Sequence, residues 1–304
     1  MNTQLEAKER SRPPAGEDAR ERLLAGIPVT ERRLKLAGVS TALLEGGDGP
    51  PVVMLHGQGA YAAKWMRVIP GLVTTHRVVA PDLPGHGSSE VADGQLDADR
   101  VFAWLGEVIE RTCTSPPVLV GHGLGGAIAA RFAGDQGDRL SRLVLVDAFG
   151  LSRFRPAPSF ALALIPYIAR PTERTHDRLW GRCAADLDGL REQMGERWEP
   201  FKAYNLDRAR TPSVKAALRT LMGQLGVPAI PSADLERITV PTTLIWGRHD
   251  LGTRLRIAED ASTRYGWPLH VIEDAAADPP IEQPEAFLSA LRDALDRSVS
   301  GRQR

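Results

Sequence analysis

Six short apolar runs, each closing on a turn, constrain this chain more than any other feature: PVVMLHG (51–57), HRVVAPDL (76–83), PVLVGHG (117–123), RLVLVDA (142–148), TTLIWGRHD (242–250) and LHVIEDA (269–275). A strand with one face in water alternates apolar and polar residues, whereas these runs are apolar on both faces and need cover on both sides. The segments between them supply it. In DADRVFAWLGEVIERT, Val101, Trp104, Leu105, Val108 and Ile109 fall on one face of a helix, and Phe287, Leu288, Leu291, Ala294 and Leu295 repeat the pattern. Two further strands, RRLKL and VSTALLE, precede the six runs and join across Gly38. Strands of this kind alternating with helices predict an α/β fold: a mostly parallel, eight-stranded sheet flanked by helices.

Residues 1–20 are polar, contain a Pro-Pro pair and read as a disordered tail. Residues 150–236 break the alternation: FALALIPYIA, DRLWGRCAADLDGLREQM and SVKAALRTLMGQL are helical patterns without a convincing strand. They form either a bundle on the sheet edge or, the favoured reading, a helical cap inserted after the sixth strand, over the strand ends where such sheets bind ligands. The division expected is then 1–20 tail, 21–149 with 237–304 core, and 150–236 cap.

One motif raises the functional question. GHGLGG (121–126) follows an apolar run as the nucleophile elbow G-x-S-x-G does, a sharp strand-to-helix turn that presents a serine, but Gly123 stands in the serine's place. With HGQG (56–59), DLPGHGSS (82–89), WGRHD (246–250) and EQPEAF (282–287) in this order, the chain resembles the capped branch of the α/β-hydrolase superfamily from about Arg32 to Arg297. The resemblance implies an α/β-hydrolase fold, with HGQG as the oxyanion loop, Asp250 as the acid and EQPEAF opening the last helix.

It also implies what is missing. A hydrolysing member needs Ser, Asp and His in that chain order. The nucleophile position is Gly123. Keeping Glu282-Gln283-Pro284 and Pro279 in register puts Ala277 at the histidine position, and residues 271–285 contain no histidine. The resemblance places the oxyanion donors at the backbone N–H groups of Gln58 and Leu124, beside Gly57, and these need no side chain. A site that binds and polarises a carbonyl or carboxylate without a nucleophile is therefore expected.

The titratable groups left for chemistry are Asp250, His122 and His56. His56 and His86 usually brace the oxyanion loop in such proteins, His122 is expected to point into the core between strand and helix, and His249 to lie in a turn. Asp250 without its histidine either has a raised pKa suited to acid–base work or is simply solvated or bonded to backbone. Asp278 either reaches the pocket in the missing histidine's place or, the favoured reading, lies in a surface turn, and Asp147 reads as a cap for the start of the helical insertion. Cys183 is a nucleophile without an evident base or, better, a small buried apolar residue. Trp180, Trp198, Tyr167 and Tyr204 either line a pocket under the cap or pack as core.

Several classes recede. Lys+Arg and Asp+Glu are both 38, which gives no overall electrostatic case for nucleic acid or an anionic membrane. Cys113 and Cys183 lack metal-ligand spacing, no cofactor motif is present, and the longest apolar stretch, Phe160–Ala169, is about half the ~20 residues of a membrane span. No secretory pattern opens the chain, so a cytoplasmic location is expected. The partner expected is a small molecule, with no nucleic acid or membrane and the oligomeric state left open. Three functions remain: a non-hydrolytic lyase, isomerase or cyclase acting on a small carbonyl compound, which is favoured; a binding protein without chemistry; and a hydrolase using water directly or an unusual nucleophile.

Overall fold

In the computed structural model, residues 15–92 and 95–296 are described. The six runs become strands β3 (Pro51–Leu55), β4 (Arg77–Pro81), β6 (Val118–His122), β7 (Arg142–Val146), β8 (Thr242–Gly247) and β9 (Leu269–Ile272), preceded by β1 (Thr30–Leu36) and β2 (Val39–Gly46). These eight lie side by side in the order β1-β2-β4-β3-β6-β7-β8-β9. Pairing is parallel from β4 to β9 and antiparallel where β2 meets β1 and β4. The two-residue strand β5 (Glu90–Val91) pairs with β2 and is too short to leave a periodic signal. Because of it, the helical insertion follows the seventh strand in chain order, not the sixth.

Side-chain alternation divides the core in two, since successive residues of a strand point to opposite faces. Val52, Met54, Val118, Val120, Val144 and Val146 pack on one face, and Val53, Leu55, Leu119, Leu143 and Leu145 on the other. The helices of eight or more residues are α1 (Ala15–Leu24), α2 (Ala98–Thr112), α3 (Leu124–Gln136), α4 (Pro158–Ala169), α5 (Glu173–Cys183), α6 (Leu187–Met194), α7 (Trp198–Arg210), α8 (Pro212–Leu221), α9 (Leu255–Tyr265) and α10 (Pro284–Asp296). Val101 and Trp104 of α2, Ile128 and Phe132 of α3 and Ala258 of α9 cover the second face. The first is covered by Leu23 of α1, Phe287 and Leu291 of α10, and Trp180, Trp198 and Phe201 from α5 and α7.

Helices α4–α8 and a short helix, Ser232–Glu236, fill the segment between β7 and β8. The expected tail is corrected at its end. Residues 1–14 lie outside the described residues, but 15–20 belong to α1, which packs on α7. Arg20 is the reason this polar stretch is held: it is buried, ion-paired with Asp82 at 3.1 Å and Glu31 at 3.1 Å, and its guanidinium also meets the Tyr204 hydroxyl at 3.4 Å.

Candidate active site

The elbow is present in its backbone. Gly123 joins β6 to α3 at φ 51°, ψ −113°, a region that an L side chain rarely adopts. Its neighbours explain the other glycines of the motif: a Cβ at Gly121 would lie 2.5 Å from the Gly125 carbonyl, and one at Gly125 would lie 2.5 Å from that of Leu55. Helix and strand meet at backbone contact, and the turn is correspondingly sharp.

The space beside Gly123 is occupied. A Cβ at Gly123 would sit 2.4 Å from Oε1 of Gln58, and that oxygen accepts a long hydrogen bond, 3.4 Å, from the Leu124 N–H. Leu124 is the first residue of α3, where unpaired N–H groups and the helix dipole favour an electron-rich oxygen. The Gln58 carboxamide thus lies against one of the two expected oxyanion donors, in the manner of a bound carbonyl. Its side chain is exposed, so a ligand has only to swing it aside.

His122 is buried, as a core residue would be, but its ring reaches the loop that carries Ala277. Its Nε2 lies 2.9 Å from the carbonyl oxygen of Ala277, the residue expected at the histidine position. A carbonyl only accepts, so Nε2 carries the proton and Nδ1 keeps its lone pair. Gly57 makes this approach possible, since a Cβ there would stand 3.0 Å from His122 Nδ1. Asp250 is also buried and close enough for its charge to be felt with His122. Burial raises the Asp250 pKa above the ordinary carboxylate value. Hydrogen bonds from the Thr253 hydroxyl and the Gly252 N–H (2.6 Å), together with His122, oppose the rise.

His56 is corrected from a catalytic to a bracing residue. Its Nε2 accepts the Leu83 N–H at 2.9 Å and its Nδ1–H donates to the Gly57 carbonyl at 2.8 Å, so both nitrogens are spent on backbone. Burial, followed by the neighbouring His86, lowers its pKa to about 3. His86 similarly donates from Nδ1 to the Pro84 carbonyl at 3.1 Å. His249 is exposed in its turn.

Two acids lie deeper than their sequence context suggests. Asp278 is no surface residue: it is buried and ion-paired with Lys64, whose ammonium lies over the rings of Trp180 at 4.4 Å and Phe201 at 4.8 Å. Asp147, at φ 40°, accepts the Gly247 N–H at 3.0 Å and so ties β7 to the turn carrying Asp250; it does not cap the helical insertion. Burial, then the nearby Asp250, pushes its pKa well above the ordinary value.

Sequence reasoning missed Lys64 and the role of Glu282. Glu282 is buried under the turn that holds Ala277. It accepts the N–H groups of Ala276 (2.9 Å), Asp278 (3.0 Å) and, from the α5–α6 connection, Ala185 (2.7 Å). The EQP motif was a visible signal for Glu282, whereas a lone lysine in YAAKW carries none. Trp180, Trp198, Phe201 and His176 pack ring to ring, and Tyr204 packs on Tyr61. Tyr167 donates to the Asn205 carbonyl at 3.2 Å. Burial pushes the Cys183 thiol up, away from the reactive thiolate.

The Alpha/beta hydrolase family model matches residues 52–290, a span that takes in Gly123, the Asp250 turn and Ala277. The chain belongs to that family. Among its relatives, the magnesium-chelatase 30 kDa subunit of Rhodobacter capsulatus is 30% identical over 248 residues, covering 76% of this chain and 84% of that one. The pimeloyl-[acyl-carrier protein] methyl ester esterase of Chromobacterium violaceum is 29% identical over 82% of this chain and 96% of its own. A carboxylesterase structure from Bacillus subtilis superposes with a TM-score of 0.79 at 18% identity, over 94% of this chain and 99% of that one, a likeness of fold. Membership of the family fixes the scaffold, and the side chains at the site decide the chemistry.

Proposed function

We propose that this chain is a non-hydrolytic member of the family that binds a small carbonyl- or carboxylate-bearing compound at the elbow and moves a proton on it, with His122 as the base. The observation that carries the reading is the His122 imidazole: its Nε2–H is committed to the Ala277 carbonyl, which leaves the Nδ1 lone pair against Gly57, whose Cα lies 3.5 Å from where a Gly123 Cβ would stand. In this reading the ligand oxygen displaces the Gln58 carboxamide from the Leu124 N–H, which then polarises the carbonyl. Withdrawal of a proton α to that carbonyl by Nδ1 makes an imidazolium, which the Ala277 oxygen and the Asp250 carboxylate favour. Gly123 and Ala277 offer no group to form or resolve an acyl intermediate, so acyl transfer has no route through the elbow.

The test is deuterium exchange, followed by NMR, on a panel of 2-oxo acids and 1,3-dicarbonyl compounds in heavy water. The wild type should exchange α-protons of at least one compound. His122→Gln should slow that exchange by roughly the 10²–10⁴-fold that a general base supplies, and Cys183→Ser should leave it unchanged. Equal rates for wild type and His122→Gln would remove the base.

A second reading is favoured by the Asp250 carboxylate, both of whose oxygens are engaged by its own turn. In it the elbow binds the same ligand and performs no chemistry. Saturable binding by calorimetry, with no exchange anywhere in the panel, is its signature.

A further inference from the structure

The large apolar side chains most exposed in this structure are Leu162, Ile165 and Ile168, 62%, 64% and 58% accessible, and all three lie on α4. At 100° per residue they share one stripe about 120° wide, opposite the face that carries Phe160 and Ala163 into the protein. From Leu151 to Thr172 the sequence contains Arg153, Arg155 and Arg170 and no acidic residue. All three arginines are exposed, two just before α4 and one at its end. The whole chain balances its charges, but this segment does not.

We infer that the outward face of α4 is a docking surface for an anionic lipid bilayer. The stripe Leu162–Ile165–Ile168 would enter the acyl boundary while Arg153, Arg155 and Arg170 meet the headgroups. A 12-residue helix rises about 18 Å, too short to span, and it is anchored by its inner face, so it lies in the plane of the interface. Cationic ends around an apolar stripe complement acidic headgroups above hydrocarbon; a purely apolar protein partner would leave the arginines unmatched. The location matters as well. The Ala157 N–H, at the head of α4, donates to the Leu251 carbonyl at 2.7 Å, and Phe160 packs beside Gly252, in the turn that carries Asp250. Docking would thus bring the candidate site next to the membrane surface and favour a lipophilic ligand. The surface itself does not depend on the proton-transfer reading.

The test is co-sedimentation of the full-length chain with vesicles of phosphatidylcholine alone and of phosphatidylcholine mixed with phosphatidylglycerol. The wild type should pellet with the mixed vesicles, remain in solution with the neutral ones, and release as salt is raised. Ile165→Glu, at an exposed position where the melting temperature should not move, is expected to lower binding by about tenfold or more. Arg153→Gln/Arg155→Gln should erase the preference for anionic lipid. Failure to pellet with mixed vesicles overturns the inference, as does equal binding by wild type and Ile165→Glu. A wild-type dimer in sedimentation velocity that Ile165→Glu converts to monomer would assign the stripe to a second copy of the chain, and overturns it too.

Discussion

Gly123 sits at positive φ with the Gln58 oxygen where a side chain would begin, so two penalties meet at one atom. Gly123→Ala should cost about 1–2 kcal/mol in urea denaturation, and part of that loss should vanish in a Gln58→Ala background, where only the backbone strain remains. Placing Ser at 123 alone should yield no esterase. Gly123→Ser with Ala277→His should hydrolyse p-nitrophenyl acetate above the wild-type baseline by roughly 10²-fold, an activity that Asp250→Asn abolishes. His56 supplies a pH test with a definite sign. Its folded pKa, about 3, lies below the model-peptide value of 6.5, so the stability that it contributes is complete above pH 6.5 and is lost as the pH falls toward 3. The stability gap between wild type and His56→Gln should therefore narrow by about 1.4 kcal/mol per pH unit below 6.5, read from urea titrations at successive pH values. The strand-to-helix turn at Gly123 was legible at this scale because the elbow motif has a fixed spacing. The orientation of His122 was not, because a residue between strand and turn can face either way until Gly57 is known to make room for it.

Among the elements, the loop bearing Ala277 is fastened more heavily than an idle loop requires. Lys64 reaches it from the turn after β3, Glu282 gathers its N–H groups from below, and the Ala277 N–H donates to the Cys183 carbonyl at 2.9 Å from the end of α5. Removing one partner of a buried ion pair strands the other. Lys64→Met should cost about 3–5 kcal/mol, and adding Asp278→Asn should recover part of it, measured by chemical denaturation. Strands and long helices were legible from their apolar pattern, since β3 and the centres of β6–β8 are apolar on both faces and α2 has a clean stripe. The ion pair was not, since Lys64 and Asp278 are 214 positions apart and each reads as a surface residue in its own window. The two-residue strand β5 had no period to show, and α1 looked like tail because the contacts that order it come from distant parts of the chain.

For the molecule as a whole, fold and family were legible because six two-faced apolar runs admit few architectures, and five motifs in order narrow them to one. Balanced charge, by contrast, concealed the basic, acid-free segment around α4, since a sum carries no position. The clasp made by Arg20 adds a constraint in time. Its guanidinium is held by Glu31 and Asp82, which follow it closely along the chain, and by Tyr204, which lies 184 positions later. On the ribosome, which releases about 5–20 residues per second, the first helix must wait many seconds for the partner that completes its seat. During that interval α1 has the early part of the core to pack against, but its apolar face, Ala19 and Leu23, lacks the cover of α7. Helix α1 is thus made before its partners and finished only after α7.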